Sequence, residues 1–169
     1  GEISGFADVT DPLTAITLTP VGNTGTTIHE FEIQLVPNTR RTLALWGRPT
    51  ELLSRVLIHD ARPLAVFPVI RFTDFALNAA ALDIYDVEPG TVLDETVLPK
   101  FSGVIPGLST EFFDTQEGMR EFVITLNGEK DPIAPPLILD MANSTVTDIV
   151  ILDTADPTAV ELKIFETIP

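Results

Sequence analysis

The chain has 169 residues, room for one large domain or two small ones, and 44% of them are hydrophobic, which excludes a disordered chain. Ten basic residues against 25 acidic ones leave a formal net charge of −15, a field that excludes nucleic acid as a partner and disfavours anionic membrane surfaces. Cysteine is absent, so disulfides, zinc–thiolate sites and thiol nucleophiles are excluded as well.

In chain order, the runs LTAITLT (13–19), IHEFEIQLV (28–36), TLALW (42–46), VIRFTDF (69–75), ALDIYDV (81–87), EFVITL (121–126), TDIVIL (147–152) and VELKIF (160–165) are rich in β-branched and aromatic residues. Several alternate apolar with polar positions, as a strand with one buried face does. Turn clusters separate them: PVGNTG (20–25), GRPT (47–50), EPG (88–90), NGEKDP (127–132) and DTADPT (153–158). PTELLSR (49–55) is the one stretch with helical character, too short for a core helix. Short strands without long helices between them predict an all-β sandwich or barrel. No apolar run approaches the roughly 18–20 residues that a membrane-spanning helix requires, and the aromatic girdles of a membrane barrel are missing. No leader is recognisable, and Gly1-Glu2 reads as the start left after an upstream segment is removed.

The sequence also resembles itself. AITL (15–18) matches VITL (123–126), 108 positions later, and each is followed by a glycine-containing turn. EFEIQLV then pairs with PLILDMA, PNTRR with NSTVT, TLALWG with DIVILD, RPTELL with DPTAVE, and RVLIHD (55–60) with LKIFE (162–166). Upstream, SGFADVTDP parallels TEFFDTQEG. Matches in this order predict two copies of one β-module. The second copy has residues 66–108 ahead of its matching region and the first has no counterpart. The expected organisation is a partial, back-half module over 1–65 and a complete one over 66–169. A module short of strands exposes sheet edges. Those edges are expected to be covered by the second module, by a partner chain in a homo-oligomer, or by an upstream segment.

The opening of the second copy, VIRFTDFALNAAALDIYDVEPG (69–90), carries Arg71 on one strand, a loop of small and polar residues from Asn78 to Ala81, and Asp83-Ile84-Tyr85 on the next. This order resembles the bacterial domain-of-unknown-function 4397 family. FSGVIPGLSTEFFDTQEGMREFVITLNG and TDIVILD resemble that family's later strands, whereas Asp74 departs from the Asn or His common there. The resemblance implies an immunoglobulin-like β-sandwich, often in tandem, in exported bacterial proteins. It implies no activity and carries over no catalytic residue.

Candidate chemistry is sparse. His29-Glu30 lacks a second histidine four residues on, so the metalloprotease motif is absent. His59-Asp60, near Arg62, lacks a nucleophile-elbow serine and reads as a polar strand end. No dinucleotide fingerprint or phosphate loop occurs. Asp83, Asp86 and Glu88 bracket one turn and Asp148, Asp153 and Asp156 surround another, the kind of clusters that bind calcium through loop oxygens, though neither has the spacing of an EF-hand loop. Trp46 and Tyr85 are the aromatics that could serve a sugar ligand, with core packing as the competing role for each. The sequence therefore predicts a non-catalytic, extracytoplasmic module (periplasmic, secreted or cell-surface) without a cofactor. Its role would be adhesion, surface scaffolding or protein–protein contact. A carbohydrate- or calcium-binding module, using loops at the sandwich ends, is the alternative.

Overall fold

The computed structural model describes residues 8–37, 39–48, 50–58 and 66–168, the last three of these by backbone alone. All regular structure among the described residues is β-strand, in twelve strands that fall into two compact units: β1–β4, and β5–β12. The predicted boundary between 65 and 66 adjoins residues outside the described set, and His59, Asp60 and Arg62 lie outside it. No helix among the described residues is long and apolar enough to cross a membrane.

The first unit consists of two antiparallel hairpins. β1 (Leu13–Leu18) pairs with β2 (His29–Gln34), and β3 (Arg41–Arg48) with β4 (Glu51–Ile58). β1 alternates strictly, with Thr14, Ile16 and Leu18 half-buried and Leu13, Ala15 and Thr17 exposed. On β2 the same period carries His29, Phe31 and Ile33 inward, and Ile33 is buried. The β3–β4 turn requires glycine at one position. Gly47 has φ +110, and a Cβ there would lie 2.5 Å from the Glu51 carbonyl oxygen. The stretch with helical character, 49–55, is largely strand β4. Seven residues cannot nucleate a helix that competes with the eight-residue ladder offered by β3.

The second unit is a sandwich of two four-stranded sheets, ordered β10-β9-β6-β7 and β12-β11-β5-β8. Its strands are β5 (Val69–Asp74), β6 (Leu82–Val87), β7 (Phe101–Val104), β8 (Phe113–Asp114), β9 (Gly118–Leu126), β10 (Leu137–Met141), β11 (Val146–Asp153) and β12 (Val160–Ile168). Pairing is antiparallel except between β5 and β11, which run parallel. β7 and β8 lie in a stretch with little period-2 signal. They form because Gly103 and the 105–108 turn fold the chain back against β6 and β5.

The inner faces supply one core: Ile70, Phe72, Ile149, Ile151 and Val160 from one sheet, and Leu82, Ile84, Phe122, Ile124 and Met141 from the other. Phe72 meets Phe122 edge to face across the sandwich at 5.5 Å between ring centres, and Phe113 stacks on its other side at 6.2 Å. A smaller apolar cluster forms where Leu93 and Val97, from the loop after β6, cover Tyr85, Val87 and Val123. Phe72→Ala is therefore expected to destabilise the second unit by about 3–5 kcal/mol, whereas half-buried Ile16→Ala should cost the first unit about 1 kcal/mol or less. Urea titration followed by residue-resolved hydrogen exchange will separate the two; equal losses would contradict this placement of the core.

Candidate functional site

Charged residues in the middle of buried strands require partners, because an unpaired charge away from water costs several kcal/mol. β5 and β6 are apolar strands interrupted by such residues, and their partners identify the polar centre of the second unit. Arg71 on β5 lies directly opposite Asp148 on β11. Its Nε donates to one carboxylate oxygen at 2.6 Å and its Nη2 to the other at 2.9 Å, a bidentate pair with both side chains buried. The ring of Phe112 lies 4.2 Å from the guanidinium carbon and closes that face to water.

A second pair joins β6 to β9. Arg120 donates through Nε to the Asp86 carboxylate at 2.7 Å and through Nη2 to the Asp86 carbonyl at 3.0 Å, and the Thr115 hydroxyl occupies the other carboxylate oxygen at 2.6 Å. Asp83 accepts from the Gly103 amide, the Gly128 amide and the Asn127 side chain, at 3.0, 2.9 and 2.8 Å. Burial works against its charge, but these donors and the Ser102 hydroxyl together hold its carboxyl below the usual carboxylate range.

Asp74, at the end of β5, is fully buried. One of its oxygens accepts from the Ala76 amide at 2.8 Å, and the other is buried without a hydrogen-bond partner among the described residues. Burial pushes its carboxyl up to about 7, against the Ala76 hydrogen bond and with some help from the negative charge of Asp153. Asp153 itself caps the loop that follows, accepting from the amides of Leu77 and Asn78 at 3.0 and 2.9 Å.

The residues nominated from sequence are thus dispersed. Asp83, Asp86, Asp148 and Asp153 each bind donors from other strands or loops. Asp156 accepts from the amide and hydroxyl of Thr158, which hold its carboxyl low, and Glu88 is exposed with its carbonyl bonded to Thr91. No group of three or more acidic or histidine side chains able to hold a metal ion occurs among the described residues. Tyr85 is 1% exposed. Its hydroxyl lies 3.3 Å from the Lys130 ammonium, which sits over the ring and donates to the Val97 carbonyl, so the ring offers no open face to a sugar. Trp46 is half-buried on β3 opposite Leu53, and His29 is half-buried with its ring tilted against Phe31.

Sequence reasoning did not single out Arg120, Lys130 or the buried state of Asp74. The available signal was charge inside apolar runs, as in VIRFTD and MREFVITL, where burial on both faces forces pairing. The sequence matches no protein-family model and no curated protein.

Two outcomes follow from these charges. Arg71→Met should cost about 3–5 kcal/mol by stranding the Asp148 carboxylate, and pairing it with Asp148→Leu should recover most of that loss, measured by urea unfolding. Asp74 binds its proton more tightly folded than unfolded, so its stabilisation is complete below about pH 4 and is lost as pH rises through about 7. Stability should fall between about pH 4 and pH 7 by up to about 1.4 kcal/mol per pH unit and level off above that, and Asp74→Asn should flatten that slope. A slope unchanged in the variant would assign the proton elsewhere.

Proposed function

We propose that the chain is a non-catalytic, extracytoplasmic β-sandwich protein that works by protein–protein contact, as an adhesive or surface-scaffolding module. The observation that carries this reading is the use of the buried and half-buried ionisable groups other than Asp74. Arg71, Asp83, Asp86, Arg120, Asp148 and Asp153 each hold one strand or loop to another, and none is left converging on a common point as catalysis requires. Exposed apolar side chains outside the core, among them Val92 and Leu98 in the loop after β6 and Ile105 and Leu108 after β7, offer contact surface. Export and an immunoglobulin-like character rest on the resemblance of residues 69–90 to the domain-of-unknown-function 4397 family.

The same reading takes residues 8–58 as the back half of a second copy of the module. Two hairpins in sequence, β1–β2 and β3–β4, correspond to β9–β10 and β11–β12. The burial pattern of HEFEI (29–33) on β2 is that of LILDM (137–141) on β10, a register two residues off the sequence match of EFEIQLV with PLILDMA.

Fractionation of the producing cells with an antibody to the chain is expected to place it outside the cytoplasm. Purified, labelled chain should bind intact cells of that organism through a component destroyed by trypsin and resistant to periodate and chelator. A cytoplasmic location overturns the reading. Periodate-sensitive binding would replace protein contact with glycan contact, and chelator-sensitive binding would bring in calcium.

A further inference from the structure

The turn that follows β9 carries Asn127–Gly128, the sole asparagine–glycine pair of the chain. The other asparagines, Asn23, Asn38, Asn78 and Asn143, precede Thr24, Thr39, Ala79 and Ser144. An asparagine side chain can be lost to its own backbone, because the amide nitrogen of the next residue can attack Cγ. A side chain on that next residue hinders the approach, and Gly128 has none. It is exposed with φ +81, and a Cβ there would meet nothing within 4 Å. Asn127 is exposed beside it, so the reactive pair stands where water reaches it.

The same turn is held by a hydrogen bond at each nitrogen that the reaction must move. Asn127 N–H donates to the Ala81 carbonyl at 2.9 Å, and Glu129 N–H closes the turn on the Leu126 carbonyl at 2.9 Å. Gly128 N–H, on the nucleophilic nitrogen, donates to Asp83 Oδ2 at 2.9 Å. Asn127 Nδ2, the leaving group, donates to Asp83 Oδ1 at 2.8 Å and to Ser102 Oγ at 2.9 Å. Asp83 accepts in addition from the Gly103 amide at 3.0 Å and from the Ser102 hydroxyl, so β7 fixes its carboxylate as well. Ring closure requires the Asn127 side chain and the following peptide plane to rotate toward each other, and these bonds together oppose it. A carboxylate against the Gly128 nitrogen also disfavours removal of its proton, since a second negative charge would develop beside the first.

We infer that Asn127 is a deamidation site that Asp83 keeps closed, and that it reacts only when the turn between β9 and β10 opens. In the opened turn the Gly128 nitrogen loses its proton to water and bonds to Asn127 Cγ. The Cγ–Nδ2 bond breaks, and the departing nitrogen takes a proton from water and leaves as ammonia. Water then hydrolyses the succinimide at either carbonyl, giving aspartate or isoaspartate, with nothing oxidised or reduced. Either product keeps the turn from closing as before. Aspartate sets a carboxylate where Asp83 Oδ1 had a donor 2.8 Å away. Isoaspartate adds a methylene to the backbone and pulls the Leu126–Glu129 hydrogen bond apart. A passing opening thus becomes a lasting one, at the cost of bonds by which Asp83 joins β6 to β7 and to the turn after β9.

The test holds the full chain folded at neutral pH and physiological temperature, and unfolded in guanidinium chloride at the same pH and temperature. Conversion at Asn127 is followed by peptide mass mapping and isoaspartate-specific methylation. It should be roughly tenfold or more slower in the folded chain. Asp83→Asn should speed conversion in the folded chain several-fold and leave the rate in denaturant unchanged. Where that variant does not fold, Ser102→Ala, which removes the other acceptor of Nδ2 at an exposed position, decides in its place. Equal rates in the folded and unfolded chain overturn the inference. So does a folded-state rate that the deciding variant leaves unchanged, or one that it lowers, which would make the carboxylate a base for the reaction. In Asn127→Asp, hydrogen exchange at the amides of residue 127 and of Glu129 should be roughly tenfold faster than in the unchanged chain. Equal exchange there would show that the product leaves the turn closed, and would overturn the lasting effect. These readouts are independent of cellular location and of what the surface binds, so their failure is distinguishable from failure of the functional reading.

Discussion

The sandwich of the second unit closes on the parallel pairing of β5 with β11, and the buried pair of Arg71 with Asp148 fixes that pairing. The two residues are register partners 77 positions apart. A parallel pair cannot be set by a tight turn, so its register must be specified by side chains. Sliding it by one residue would send Arg71 and the inward set Ile70 and Phe72 to the wrong faces together, leaving a guanidinium in the core. The ion pair contributes little net stability over an apolar replacement, but it makes every other register costly.

The remaining polar bonds repeat this pattern. Asp86 with Arg120, Asp83 with Asn127 and Gly128, Asp153 with Leu77 and Asn78, and Tyr85 with Lys130 each join β5–β8 or its loops to β9–β12 or its loops. The front and back halves of the module are thus held by directional bonds placed around an apolar core that supplies most of the stabilisation without direction. Asp74 lies apart from the network: burial and an oxygen without a partner among the described residues favour its protonated carboxyl, which pushes its pKa up to about 7.

Much of the strand content could be read from local sequence. LTAITL, HEFEIQ and TLALW alternate as half-buried strands do, and the near-continuous apolar runs VIRFTDF and TDIVIL became the doubly buried β5 and β11. PTELLSR misled because its composition suits a helix, whereas its neighbour β3 supplies a ladder only a strand can use. β7 and the two-residue β8 were inaccessible to pattern, since so few residues have no period of their own. The acidic residues were grouped by sequence proximity, and the sandwich separated them: Asp83 and Asp86 point to opposite faces of one strand, toward different donors.

The sequence by itself determined that this chain builds strands, where its turns fall, and which residues can form a core. Those properties follow from a two-residue side-chain period and from turn chemistry, both local. Only the tertiary structure decided which strands are neighbours, that β5 and β11 run parallel, and that the conspicuous carboxylates are structural anchors. Each of those outcomes depends on pairs separated by tens of residues, where partner and geometry are set by the closing of two sheets over a common core and by the cost of leaving a charge unpaired inside it.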